Sequence, residues 1–194
     1  FAEEPKWGLR AEPRLHGISR TDDSQVQVIV TERTVEAEHD PTLADLSAEL
    51  VDLYGTDFGV RDPAWIFRFT DMSRQADRYR ACRVLLAGDA AHIHYPAGGQ
   101  GLNLGIQDAV NLGWKLAQVV KGVSPQALLD TYHAERHPVA ARVLRNTMAN
   151  VAITRQDDRS KAASAVVAEL LGTEAGRKLI GGQRSGLDIP YDLG

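Results

Sequence analysis

Apolar residues change period several times along the chain, and each change marks an element. Between residues 13 and 33, Val26, Val28 and Val30 alternate with Gln25, Gln27 and Ile29 after the turn signal Thr21-Asp22-Asp23-Ser24. That period of two predicts a hairpin with one buried face, its partner strand over residues 15–20. Leu43, Leu46, Leu50, Val51 and Tyr54 then recur at helical spacing, with Asp40 as the expected cap, Pro41 as the first helical position and Gly55 as the stop. After the turn at Asp62-Pro63, residues 65–70 alternate again, which predicts a strand with Trp65, Phe67 and Phe69 on one face. Those rings are either core or a flat wall suited to a planar ligand.

The centre of the chain is a strand, a glycine-rich loop and a helix. Residues 84–87 are four consecutive apolar positions, the pattern of a strand buried on both faces. Gly88-Asp89 ends it, a segment holding Pro96, Gly98, Gly99 and Gly101 follows, and a helical pattern starts near Leu102 and stops at Lys121-Gly122. Ser124-Pro125 opens a short helix to about Ala134, and His137-Pro138 is expected to break it. A long amphipathic helix (Val139, Val143, Leu144, Thr147, Met148, Val151) and another ending before Gly172 come next, and the residues from Gly181 read as loop.

Glycines let backbone approach a ligand closely, and the first N–H groups of a helix have no partners within it. The segment after Gly88 can therefore hold an electron-rich group, favoured by the positive end of the helix dipole. Asp89 either binds sugar hydroxyls or merely caps a turn. The spacing excludes the G-x-G-x-x-G dinucleotide fingerprint and the phosphate-binding P-loop, since no G-K-[ST] follows. His92-x-His94 lacks a third neighbouring ligand for a metal site, and no G-x-S-x-G elbow supports a serine nucleophile. Gly105 and Gly113 lie inside the helix and are expected to mark close packing; Asp108, Asn111 and Lys115 share its spacing as interdomain hydrogen-bonding residues or as site residues.

Gly88-Asp89-Ala90-Ala91-His92, with Pro96 and Gly98-Gly99-Gln100-Gly101-Leu102-Asn103, closely resembles the second flavin-binding motif of the FAD-dependent aromatic hydroxylases, the single-component class A monooxygenases. The run Asp108 to Ala117, the run Tyr132 to Pro138 and Ser185-Gly186-Leu187-Asp188-Ile189 extend the likeness toward the subgroup acting on aromatic polyketides and rifampicin. The resemblance implies a mixed α/β (α+β) fold of the para-hydroxybenzoate-hydroxylase type: an antiparallel substrate-domain sheet, the strand-loop-helix flavin motif, then C-terminal helices. Residues 1–80 would be the remainder of the substrate domain, 81–180 the C-terminal part of the FAD domain, and 181–194 a linker toward a further, thioredoxin-like domain. FAD would be held by Asp89, Pro96, Gly98, Gly99, Gly101, Leu102, Asn103 and Arg74. For Arg74 the alternative is a solvated charged run with Arg78, Arg80 and Arg83. Trp65, Phe67 and Phe69 would face the substrate. The implied reaction uses NADPH (or NADH) and O2 to hydroxylate a polycyclic aromatic substrate through a flavin C4a-hydroperoxide; no catalytic acid or base is assigned. The family's dinucleotide glycine fingerprint and its middle Asp-Gly motif do not occur, so a fragment of a longer chain that holds FAD weakly alone is expected. The alternative is a non-catalytic relative that binds an aromatic ligand or a partner chain.

Composition narrows the field further. With 194 residues, 43% hydrophobic and 25% charged, the chain is that of a globular protein with a sizeable core. A formal charge of −4 without a basic block argues against nucleic acid. One cysteine, Cys82, cannot form an intramolecular disulfide. No run approaches a membrane span, and a cytoplasmic location is the expectation. The partners expected are the aromatic substrate, O2, and a second copy or the remainder of the same chain.

Overall fold

The computed structural model describes residues 5, 7–10, 14–21, 25–32, 39–96, 99–186 and 189. The chain divides into two compact units, Phe1–Phe69 and Thr70–Gly194.

In the first unit, β1 (Gly8–Arg10), β2 (His16–Arg20) and β3 (Val26–Val30) form an antiparallel sheet in that order. The hairpin lies where the alternation places it, with Ile18 opposite Val28. Three of its turn residues, 22–24, lie outside the described residues. Ile18 packs with Leu50 and Phe58, flanked by Val26, Val28, Val30 and Leu46. Helix α1 (Leu43–Tyr54) begins later than the Asp40-Pro41 start, because Thr42 closes a capping box. Its hydroxyl accepts the Asp45 N–H at 3.2 Å while its own N–H donates to the Asp45 carboxylate at 2.7 Å. Gly55 ends α1 in the left-handed region at φ 79°.

The segment from Trp65 to Phe69 corrects the expectation of a strand. Its rings do stack in series, at 5.1 Å between Trp65 and Phe67 and 5.8 Å between Phe67 and Phe69. Residues 65–70 carry no strand pairing among the described residues, and Trp65 is 63% exposed and Phe67 60%. Alternation alone does not make a strand where no neighbouring backbone offers hydrogen bonds.

In the second unit, β4 (Arg74–Gln75) pairs with β7 (His92–Ile93), and β5 (Arg80–Ala81) with β6 (Val84–Leu85), both antiparallel. A 3-10 turn spans Gly88–Ala90 between β6 and β7. The expected two-sided strand at 84–87 is thus the short arm of a hairpin, with Val84 exposed and Leu85, Leu86 and Ala87 half-buried on the core. Helices α2 (Gly101–Val120), α3 (Leu128–Ile153), α4 (Asp158–Leu171) and α5 (Glu174–Ser185) complete the unit. The break expected at His137-Pro138 does not occur: Pro138 lies inside α3. The cost of about 3 kcal/mol for an interior proline is offset by the buried row Tyr132, Arg136, Val139, Ala140, Val143 and Leu144, which needs one uninterrupted helix. Residues 181–185, read as loop, continue α5.

The core of this unit gathers Tyr79, Ala91, Leu104, Tyr132, Val139, Ala140 and Val143. Its two phenols are satisfied: the Tyr132 hydroxyl donates to the Leu86 carbonyl at 2.8 Å, and the Tyr79 oxygen accepts from Gln75 at 2.8 Å. Burial pushes the Tyr79 hydroxyl up to about 12 and raises that of Tyr132 as well, so both stay protonated.

Candidate flavin site

The loop after β6 is built to be held at both ends. Gly88 sits at φ 58°, a conformation that side-chain-bearing residues avoid. It lies against the central helix: a Cβ on Gly105 would stand 3.5 Å from the Gly88 Cα. The Gly88 N–H donates to Asp108 Oδ2 at 3.2 Å, and His92 Nε2–H donates to the same oxygen at 2.7 Å. Asp108 Oδ1 accepts from Arg136 Nε at 2.8 Å, and Arg136 also donates to Gln107 at 3.0 Å. Asp108 and Arg136 are fully buried. Burial alone would raise the Asp108 pKa, but bonds from His92, Arg136 and the Gly88 amide outweigh it, and the carboxyl is held below its ordinary value.

Between those two anchored ends Asp89 is exposed, with no partner among the described residues. Beyond His92, β7 pairs with β4, and the Ala91 carbonyl accepts the Ala76 N–H at 2.8 Å. Arg74, across from Ile93 in that ladder, is exposed, and one of its N–H groups returns to the Ser73 carbonyl. Pro96 and Gly99 are exposed, the latter at φ 63°; Gly98 lies outside the described residues.

Helix α2 then opens without a side-chain cap. Gln100 occupies the N-cap position with helical φ and ψ and makes no capping bond. Leu102 and Asn103 are exposed, and Gly101 is half-buried beside the His94 ring, 3.6 Å from its would-be Cβ. His94 Nδ1 donates to the Tyr95 carbonyl at 2.7 Å, which leaves Nε2 an acceptor, buried and without a partner among the described residues. An uncapped helix end, an orphaned imidazole nitrogen, glycine backbone and an exposed carboxylate are together suited to a flat polar group carrying hydroxyls and an anionic edge. FAD fits that description.

The remaining helix residues form a second buried polar set. Lys115, 1% exposed, places Nζ 2.7 Å from Glu135 Oε2, which also accepts from Asn111 at 2.6 Å. The Lys115 ion pair and the Asn111 hydrogen bond join α2 to α3 inside one unit rather than across two. Gly113 corrects the close-packing expectation, since a Cβ there meets nothing within 4 Å. The sequence reading missed the linkage of His92, Asp108 and Arg136, although a legible signal existed: Asp108 and Arg136 fall on the apolar faces of their helices. It missed as well a cleft of about 500 Å³ on the first unit, lined by Trp7, Gly8, Ile18, Ser19 and Arg20.

Comparison with known proteins gives these features a setting. A family profile described as "FAD binding domain" matches residues 7–147. The chain is 46% identical over 188 residues to a rifampicin monooxygenase of Streptomyces venezuelae, covering 96% of this chain and 40% of that one. The crystal structure of CabE, an aromatic hydroxylase from angucycline biosynthesis, superposes with a TM-score of 0.82 at 42% identity, covering 92% of this chain and 37% of that one. The Diels-Alderase PyrE3 from pyrroindomycin biosynthesis superposes at 0.78 and 39% identity, covering 94% and 40%. The chain thus spans about two fifths of the length of these relatives. A turn anchored at Gly88 and His92 ahead of an uncapped helix, and a profile matching most of the chain, lead to one conclusion: this chain belongs to the FAD binding domain family.

Proposed function

We propose that the protein of which this chain forms part or all is an FAD-dependent monooxygenase that hydroxylates a polycyclic aromatic substrate of the polyketide or antibiotic type, with NADPH (or NADH) and O2. The observation that carries the reading is the uncapped N-terminus of α2 behind the loop that exposes Asp89. The Asp89 carboxylate accepts hydrogen bonds from ribityl hydroxyls. Amides of Gly101, Leu102 and Asn103 face the pyrimidine edge of the ring, where the positive helix end stabilises negative charge without reorganisation. His94 Nε2 offers an acceptor inside the same loop. Backbone at Pro96 and Gly99 lets the ring approach, Gly98 between them has no side chain to block it, and Arg74 lies on the strand paired to the loop. Bound there, FAD supplies the redox chemistry with O2 that side chains cannot. The exposed ladder Trp65, Phe67 and Phe69 offers a flat surface for an aromatic substrate.

The test is direct. The purified protein takes up FAD and oxidises NADPH faster when an aromatic polyketide is added. Asp89→Ala, at an exposed position, keeps the fold and weakens FAD retention about 10- to 100-fold, the worth of a charge-assisted bond or two. Unchanged flavin content in that variant refutes the site. The likeness to PyrE3, named a Diels-Alderase, favours one second reading, in which the scaffold binds FAD and an aromatic or polyketide ligand without oxygenation. Tight FAD and ligand binding with no NADPH oxidation selects it.

A further inference from the structure

We infer that His92, Asp108 and Arg136 are positioning residues that set where Asp89 stands, so that flavin affinity is governed from beneath the loop by groups that cannot touch the cofactor. The inference rests on the proposed flavin site. Its geometric basis is that one carboxylate oxygen, Asp108 Oδ2, receives both the Gly88 N–H at 3.2 Å and His92 Nε2–H at 2.7 Å. Asp89 follows the first of these residues and precedes the second by three, so both ends of the turn that carries it hang on one atom. That atom is itself immobilised, because Asp108 Oδ1 is held by Arg136 Nε at 2.8 Å on the neighbouring helix, and Arg136 is held in turn by Gln107 at 3.0 Å. The three side chains are 3% exposed or less.

The turn also rests against the central helix. A Cβ on Gly88 or Gly105 would stand in ordinary contact with the other's Cα, at 3.8 and 3.5 Å. The Ala91 N–H closes on the Gly88 carbonyl at 2.8 Å. A group acting through such a preorganised loop changes binding by the precision it imposes, much as outer residues orient the ligands of a metal.

The test compares His92→Gln, which keeps a side-chain N–H for Asp108, with His92→Leu, which fills similar volume and offers none. Each purified protein is titrated with FAD by flavin fluorescence, and amide hydrogen exchange is followed over residues 88–92 without FAD. The leucine variant is expected to bind FAD roughly 10- to 100-fold more weakly and to exchange faster across the turn, while the glutamine variant stays within about threefold of the parent. Arg136→Lys, which keeps the charge but loses the guanidinium fork, is measured alongside and is expected to speed the same exchange, so the conclusion stands even where the leucine variant fails to fold. Equal loss in the glutamine and leucine variants, or unchanged exchange in both the leucine and lysine variants, overturns the inference. A full-length parent protein that binds no FAD sinks the proposed flavin site instead, and the exchange measurements still decide whether the turn is held this way.

Discussion

Replacing Glu135 by glutamine should harm the fold more than removing the cation it faces. Lys115 is 1% exposed and its ammonium lies 2.7 Å from Glu135 Oε2, whereas the Glu135 side chain is 19% exposed and keeps a bond from Asn111 at 2.6 Å. Burial opposes the ionisation of Glu135, yet bonds from Asn111 and Lys115 hold its pKa below the ordinary value. In Glu135→Gln the amide oxygen can still accept a bond, but the ammonium stays buried without a counter-charge, at about 3 kcal/mol, the lower end for breaking a buried pair. In Lys115→Met the chain keeps its volume, and the carboxylate left behind reaches water, at about 1 kcal/mol. The second unit runs from Thr70 to Gly194, and at about 2 cal/mol/K per residue those costs correspond to melting shifts of roughly 11 °C and 4 °C. Thermal unfolding followed by far-UV circular dichroism measures both. An equal or larger loss in Lys115→Met refutes the asymmetry and with it the claim that Lys115 is the less solvated partner.

Gly113→Ala should raise the melting temperature by roughly 4 °C, since its Cβ enters open space and alanine gains about 1 kcal/mol in a helix interior. Gly88→Ala should lower it, because φ 58° costs a side-chain-bearing residue about 1–2 kcal/mol; a neutral result in either denies the geometry at that position. Burial, then the neighbouring His133, lowers the His137 pKa from 6.5. The folded state therefore binds fewer protons than the unfolded one, and its stability is full above about pH 6.5 and falls as pH drops below it. Urea midpoints between pH 7.5 and 5 should show that fall, and His137→Gln should flatten it. Asp108 and Glu135, both depressed, add a further loss of stability only as pH drops below their ordinary carboxylate values, near 4.

Local chemistry was legible where it acts over a few residues. The hairpin at 16–30, the stop at Gly55, the helix from Gly101 to Val120 and the glycine loop before it follow from alternation, left-handed glycines and helical period. The same rules failed where a distant partner decides. Trp65 to Phe69 alternates like a strand but has no strand to pair with among the described residues. Pro138 would end a helix in isolation, but α3 continues through it with a buried row from Tyr132 to Leu144. Asp40 and Thr42 are both good caps, and only the reciprocal bond to Asp45 selects Thr42.

By itself the sequence determined which stretch is the candidate site, because glycine positions, the Asp89 carboxylate and a helix start are properties of neighbouring residues. It also determined the family, since the motif's spacing is local. Tertiary structure alone decided how that stretch is held. The bonds that converge on Asp108 come from residues 20 positions before it and 28 after it, and no periodicity reports a contact made across such a distance. Burial removes competing water from those charges, so a pairing that would be weak on the surface fixes the loop in the interior.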